Sequence, residues 1–345
     1  MILDELTYEQ CVTQGVGPMV FPARLEKGID PANSTRMKMV CMQNMQQHVK
    51  LQHTLSLAWN ALVDAGIKPV LLKGAGLAAL YPDPQMRPYG DIDLFVGKEQ
   101  YHHACAVMRN TFPKALKFDE ELDHYKHYNL IADGVSIEIH RVSFAMTHPL
   151  DVIRYAKIEQ FGMTNEALTG LTTNDQLPIS IPNPTFNALF VMLHSWEHMC
   201  GTWGNLRQIC DWKFLLDRYK DDIDASLLYK WLKQLTLLDV WQLYTYIAVN
   251  HLGLSQDAAL FYNHKVAGRA ERLLEHLLNG KLNFSETPKD KHYSNRFVRK
   301  WNTMKSRISH ADKIAVYSPS YARHMKISIM LNGLSRLFAK DRRWE

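Results

Sequence analysis

The residues best suited to chemistry stand close together in "RPYGDIDLFV", residues 87–96, where Asp91 and Asp93 interrupt an otherwise apolar, strand-like run. Side chains alternate across a strand, so both aspartates project to one side and Ile92, Leu94 and Val96 to the other. Two carboxylates on one face repel each other and lose hydration unless a cation lies between them. A divalent metal meets that need. Mg²⁺ in particular is held by a few carboxylates together with water and substrate phosphate oxygens. Glu138 in "SIEIHR" is the candidate third acid; it stands between Ile137 and Ile139 and shares a face with Ser136 and His140, with Asp133 as a nearby competitor. Upstream, "LLKGAGLAALY" reads as a strand ending at Lys73-Gly74 and turning through Ala75 and Gly76 into a helix. Backbone N–H groups at such a turn favour phosphate, and Lys73 and Arg87 add positive charge.

Plainer readings stand beside these. The aspartates could lie at a solvent-exposed strand end, Lys73 could be an ordinary exposed lysine, and His140 a hydrogen-bonded structural histidine. Arg87 could cap its loop or pair with Asp83.

The elements that must position these residues follow from pattern. "STRMKMVCMQNMQQHVKLQHTLSLAWNALVDAGIKP" predicts one long helix, with Ser34 as N-cap and Gly66 and Pro69 as the stop. Then come "PVLLKG" as a strand, "AGLAALY" as a short helix, "DIDLFV" as a strand and "KEQYHHACAVMRNTF" as a helix. "HYNLIAD" and "VSIEIHRV" flank Asp133-Gly134, which predicts a hairpin. "LPISIPNP", with Pro178, Pro182 and Pro184, suits an extended linker. Beyond it the pattern is helical: "TFNALFVMLHSWEHMC", "NLRQICDWKFLLDRY", "ASLLYKWLKQLTLLDVWQLYTYIAVNHLG", "AGRAERLLEHLLNG" and finally "SYARHMKISIMLNGLSRLFAK".

At 345 residues with 46% hydrophobic and 22% charged, the chain has room for two domains and a sizeable core. The start "MILDELTYEQ" lacks the basic and apolar run of a secretory signal, and no stretch is apolar enough to span a bilayer. A cytoplasmic protein is expected, peripheral to a membrane at most. Five widely spaced cysteines without a C-x-x-C pair predict reduced, buried thiols. Charge is uneven: Lys281–Glu345 carries 15 Lys and Arg against 5 Asp and Glu, whereas the whole chain is +5. Such a segment could meet an anionic partner or membrane surface, or be a solvated basic face.

"LLKGAGLAALYPDPQMRPYGDIDLFV" followed by "IEIHR" resembles the nucleotidyltransferase superfamily of DNA polymerase beta type, and in particular the group called uncharacterised nucleotidyltransferases, family 5. Leu72-Lys73-Gly74 matches the glycine element, Gly90-Asp91-Ile92-Asp93-Leu94 the two-acid strand, and Ile137-Glu138-Ile139 the third-acid strand. The likeness is densest over residues 68–96 and extends more weakly through "IPNPTFNALFVMLHSWEHMCGTWGNLRQICDW". The chain departs from the pattern in having Lys73 where a small residue is usual, a longer interval from Gly74 to Asp91, and Glu as third acid.

The resemblance implies an α+β fold: a nucleotidyltransferase-like mixed sheet with helices over residues 67–180, flanked by N-terminal helices (1–66) that pack on it. A C-terminal all-helical domain (181–280) and a basic helical segment (281–345) follow. It implies Mg²⁺ or Mn²⁺ at Asp91, Asp93 and Glu138, which would be the catalytic residues. Lys73, Gly74, Ala75, Gly76, Arg87 and His140 would lie around a nucleoside triphosphate, ATP among the four. The reaction would move a nucleoside monophosphate to a hydroxyl acceptor, whether small molecule, sugar, peptide or RNA, and release pyrophosphate. The same fold without turnover, as a nucleotide-binding or scaffold protein, is the first alternative.

A zinc hydrolase is the second, because "HSWEH" (194–198) matches H-x-x-E-H, with His194 and His198 on one helical face and Glu271 or Glu275 as third ligand. Otherwise these histidines, with Arg207 and Asp211 spaced i,i+4, form a polar seam facing the cleft or between helices.

Overall fold

A computed structural model describes residues 2–28, 31–118, 122, 124–164, 169–172, 177–201, 204–281 and 296–338. The chain opens with α1 (Ile2–Glu5), α2 (Tyr8–Thr13) and α3 (Gly17–Glu26), followed by α4 (Pro31–Asp64). α4 starts ahead of Ser34, which lies inside the helix and does not cap it. Pro31 occupies the first turn instead, where its missing N–H has no intrahelical partner to lose.

Next in order are β1 (Val70–Leu71), α5 (Ala75–Ala78), β2 (Asp91–Phe95), α6 (Gly97–Thr111), β3 (Leu116–Lys117), β4 (His127–Ala132) and β5 (Val135–His140). The strands form one mixed sheet in the order β1-β2-β5-β4-β3. β2 and β5 run parallel, and every other pair is antiparallel. The hairpin forms as expected: Asp133 and Gly134 both take positive φ, 50° and 76°, as a tight two-residue turn requires.

Alternation decides the two faces of the sheet. Ile92, Leu94, Ile137 and Ile139 are buried on the side packed by α4 and α6, where α4 contributes Leu51, Leu55, Ala58, Trp59 and Leu62. Each large apolar side chain so buried stabilises the fold by roughly 1.5–3 kcal/mol. The opposite face receives the carboxylates.

Then come α7 (Pro149–Met163), β6 (Thr169–Thr172) and β7 (Pro178–Ile181). The proline-rich stretch is extended as expected, but it is a strand rather than a free linker: β7 pairs antiparallel with β6 and packs beside β1. Helices α8 (Pro184–Cys200), α9 (Leu206–Tyr219), α10 (Ala225–Gln234), α11 (Leu238–Leu252) and α12 (Ala267–Leu278) complete the helical region. The long apolar run at 225–253 is broken into α10 and α11 by Thr236, whose φ of 58° cannot continue a helix. A pair of packed helices, α13 (Arg296–Ala315) and α14 (Pro319–Phe338), closes the described chain. All five cysteines are free and buried.

Candidate active site

The register of β2 against β5 places Asp93 directly beside Glu138 and Asp91 beside Ser136. One oxygen from each of Asp91, Asp93 and Glu138 falls within 4.8 Å of the others. Their exposure is graded: the Asp93 side chain is fully buried, that of Glu138 is 22% exposed and that of Asp91 42%. Asp91, the most exposed of the three, lines a cleft of which Asp93 and Glu138 are not lining residues.

Two basic side chains are built in. Lys73, at the end of β1, places Nζ 3.1 Å from Asp93 Oδ1 and 3.8 Å from Asp91 Oδ2. His140 places Nε2 3.0 Å from Asp93 Oδ1 and 3.1 Å from Glu138 Oε2. Burial opposes every one of these charges, but their mutual attraction wins. Lys73 and His140 are held above their ordinary ranges by the acids, and Asp93 below its own by Lys73 and His140. Glu138 is likewise held down to about 2, chiefly by its hydrogen bond and charge contact with His140. The second oxygen of Asp93 remains buried without a hydrogen-bond partner. A buried carboxylate oxygen left unsatisfied is costly; with one oxygen from each of three carboxylates gathered within 4.8 Å, the set fits a hard divalent cation.

The phosphate-binding turn is only partly as expected. Gly74 has φ 55°, and a Cβ there would lie 3.1 Å from the Asp91 carbonyl oxygen, so the turn against β2 needs glycine. Gly76 faces the core: a Cβ would lie 3.2 Å from Ile181, and its N–H already donates to the Lys73 carbonyl. α5 is only four residues long, and Ala75 is buried in it. Gly74 and Lys73 line the cleft; Ala75 and Gly76 do not.

Arg87 neither caps its loop through Asp83 nor pairs with it, because Asp83 Oδ1 accepts the N–H of Gln85. Its guanidinium is instead buried against Asp211, with Nε to Oδ1 at 2.7 Å and Nη2 to Oδ2 at 2.9 Å, and its Nη1 donates to the Gly74 carbonyl at 3.0 Å. Asp211 also accepts from Tyr81 Oη and Arg207 Nη1. The glycine turn is therefore tied to α9 through a fork–fork pair.

A cleft of about 240 Å³ opens between these elements, lined among others by Lys73, Gly74, Arg87, Tyr89, Asp91, His194, His198, Arg207 and Asp211. The seam of His194, His198, Arg207 and Asp211 thus faces the cleft. His194 Nε2 lies 2.9 Å from Lys73 Nζ. An ammonium only donates, so this nitrogen accepts and the proton sits on Nδ1. Burial, then Lys73, pushes His194 well below its ordinary range and His198 down to about 4, so both are neutral near pH 7.

Glu197 lines a different cavity, and Glu271 is hydrogen-bonded to His251. Among the described residues, no set of three converging ligands includes His194 or His198.

Four lining or flanking residues carry no role in the sequence pattern. Tyr89 sits beside the aspartates, its hydroxyl accepting from Gln52 Nε2 at 3.2 Å. Asn205 and Gln208 line the cleft while forming the capping box of α9. His127 lies 3.7 Å from Glu138 Oε2 and was legible: a turn at 133–134 pairs residue 127 with 140.

A family model described as uncharacterised nucleotidyltransferase matches residues 4–253. The chain belongs to this family. The match includes the nucleotidyltransferase's sheet, the three acids and the α8–α9 wall of the cleft, and it ends where α11 ends. Membership makes the protein a transferase at the coarse level and implies a nucleoside triphosphate as substrate. No match was found among curated proteins. Among the described residues, no helix is long and apolar enough to cross a membrane.

Proposed function

We propose that this nucleotidyltransferase moves a nucleoside monophosphate from an NTP to a hydroxyl acceptor. Asp91, Asp93 and Glu138 would hold Mg²⁺ or Mn²⁺. The observation that carries the reading is the buried, unpartnered Oδ2 of Asp93 within a three-carboxylate set.

When bound, the metal would neutralise triphosphate charge and lower the cost of forming the alkoxide. The protein's own part is placement. Asp91, which lines the cleft, meets the incoming triphosphate, while Glu138, one strand away, lies nearer the acceptor. The acceptor oxygen attacks the α-phosphorus, the bond from α-phosphorus to bridging oxygen breaks, and pyrophosphate leaves with the electron pair. The hydroxyl proton leaves to solvent; Glu138, held down to about 2, stays a carboxylate able to hold the metal and is not itself the base. Lys73 would exchange its acid partners for phosphate oxygens, with neutral His194 steadying its ammonium. Arg87 acts differently from a phosphate ligand: its guanidinium is engaged by Asp211, so it positions the Gly74 turn. Tyr89 offers an aromatic wall on the cleft.

The test is turnover. The chain with Mg²⁺, each α-labelled NTP and a panel of hydroxyl acceptors should release pyrophosphate and label one acceptor class, and Asp91→Ala should do neither.

One observation favours a silent nucleotide-binding or scaffold protein as second reading: Lys73 already lies between Asp91 and Asp93 as an internal cation. That reading predicts NTP binding without pyrophosphate release across every acceptor tried.

A further inference from the structure

His148, Asp151 and His324 come together from two distant parts of the chain. His148 precedes α7 at its N-cap position, yet its side chain makes no capping hydrogen bond. It is 93% buried, and its Nδ1 has no hydrogen-bond partner. That Nδ1 points at Asp151, whose Oδ1 lies 3.9 Å away. His324 reaches the same carboxylate from α14, with Nε2 2.5 Å from Asp151 Oδ2. The two imidazoles are stacked, with centroids 4.3 Å apart. One ligand atom from each of the three residues lies within 4.8 Å of the others.

A simple ion pair accounts for His324 and Asp151 alone. It leaves unexplained a second buried histidine with an unsatisfied nitrogen directed at the same acid, because buried polar atoms ordinarily find partners. Arg154 Nη1 also donates to Asp151 Oδ1, at 3.1 Å, and to the Gln234 carbonyl. It orients the carboxylate as outer partners orient metal ligands, and leaves Oδ2 on the side of His324.

We propose that His148, Asp151 and His324 form a second metal site, suited to Zn²⁺, that clamps α14 to the start of α7. Two imidazole nitrogens and one carboxylate oxygen are a borderline-soft donor set, unlike the all-carboxylate set at Asp91, Asp93 and Glu138. Three protein ligands leave the fourth tetrahedral position for water. All three residues line a cavity of about 310 Å³ that also includes Glu197 and Tyr321, so that position has room. Ligand atoms around a tetrahedral Zn²⁺ stand about 3.4 Å apart, and those of the three residues lie within 4.8 Å of one another.

The site has a consequence for the whole chain. His148 and Asp151 lie within the family match and His324 beyond its end at residue 253. Apart from Asp151, the segment before α7 holds α14 by hydrogen bonds such as Asn332 Nδ2 to the Thr147 carbonyl, 2.7 Å. A metal there would fasten the C-terminal helical pair to the nucleotidyltransferase portion, and metal binding would couple to its docking.

The test uses the full chain stripped of metal and titrated with Zn²⁺ by calorimetry, with Co²⁺ as spectroscopic probe. Wild type should bind one Zn²⁺ that His148→Gln and His324→Gln each weaken at least tenfold, and Glu138→Gln should keep it. Zn²⁺ should raise the Tm of wild type and of Glu138→Gln but not of His324→Gln. Should either histidine variant misfold, the Co²⁺ complex of wild type decides: intense visible bands of a tetrahedral nitrogen–oxygen site support the proposal, and weak octahedral bands overturn it. Binding untouched by both histidine variants, binding lost only in Glu138→Gln, or no binding by folded wild type would also overturn it.

Discussion

Asp93 and Asp211 are both buried among cations, and they differ in how completely they are satisfied. Asp211 accepts from Tyr81 and Arg87 on Oδ1 and from Arg87 and Arg207 on Oδ2, so each oxygen has two donors. Asp93 crowds Lys73 and His140 onto Oδ1 and leaves Oδ2 bare. Its neighbours sharpen the contrast. Asp211 is the lone carboxylate in a ring of donors, whereas Asp93 lies with Asp91 and Glu138. A saturated carboxylate holds elements together; a carboxylate left half satisfied beside two others is arranged for something that arrives later. The first ties the glycine turn to α9, and the second lies fully buried two residues from Asp91, which lines the cleft.

The comparison can be broken by exchanging the two roles. Asp93→Asn should reduce nucleotidyl transfer by about 10³-fold or more, on the scale of removing an electrostatic element of a reaction centre, with the fold intact by circular dichroism. Asp211→Ala should act first on stability, since it strands Arg87 and part of Arg207; a loss of about 3–5 kcal/mol is expected in urea denaturation. If Asp211→Ala were neutral in stability, the saturated cluster would not be the brace described.

Lys73→Met removes the internal cation from between the acids. Mg²⁺ measured without nucleotide should then bind about tenfold tighter, through lost competition, which corresponds to about 1.4 kcal/mol. NTP affinity should fall in the same variant, and calorimetry separates the two. The smallest effect near neutrality is the pH dependence of Glu138. Its pKa is depressed from 4.5 to about 2, so its contribution is fully present above about pH 4.5 and is lost as pH falls toward 2. The stability gap between wild type and Glu138→Gln should therefore be constant from pH 5 to 7 and shrink between pH 4.5 and 2.5 in denaturant titrations.

How much could be read without coordinates follows from range along the chain. The two-acid strand, the third acid and the Asp133-Gly134 hairpin are local patterns, and alternation and turn chemistry suffice for them. The parallel pairing that sets Asp93 beside Glu138 joins residues 45 apart, and only the family resemblance hinted at it. Locally, Arg87 reads as a phosphate cation, with loop capping or pairing with Asp83, four residues away, as the plainer alternatives, whereas its partner Asp211 lies 124 residues on. Gly76 looked like phosphate-loop chemistry, but β7, which had read as a linker, needs its missing side chain for packing. Long-range partners are chosen by the fold, and a buried cation takes the acid that the fold delivers.

The central claim is that the half-satisfied acid cluster holds metal against a triphosphate. It is tested most directly by calorimetric titration of each NTP, with Mg²⁺ and with EDTA, into wild type and Asp93→Asn. The account predicts binding of at least one NTP that requires Mg²⁺ and disappears in Asp93→Asn. Equal binding with and without Mg²⁺, or binding that survives intact in Asp93→Asn, would contradict it.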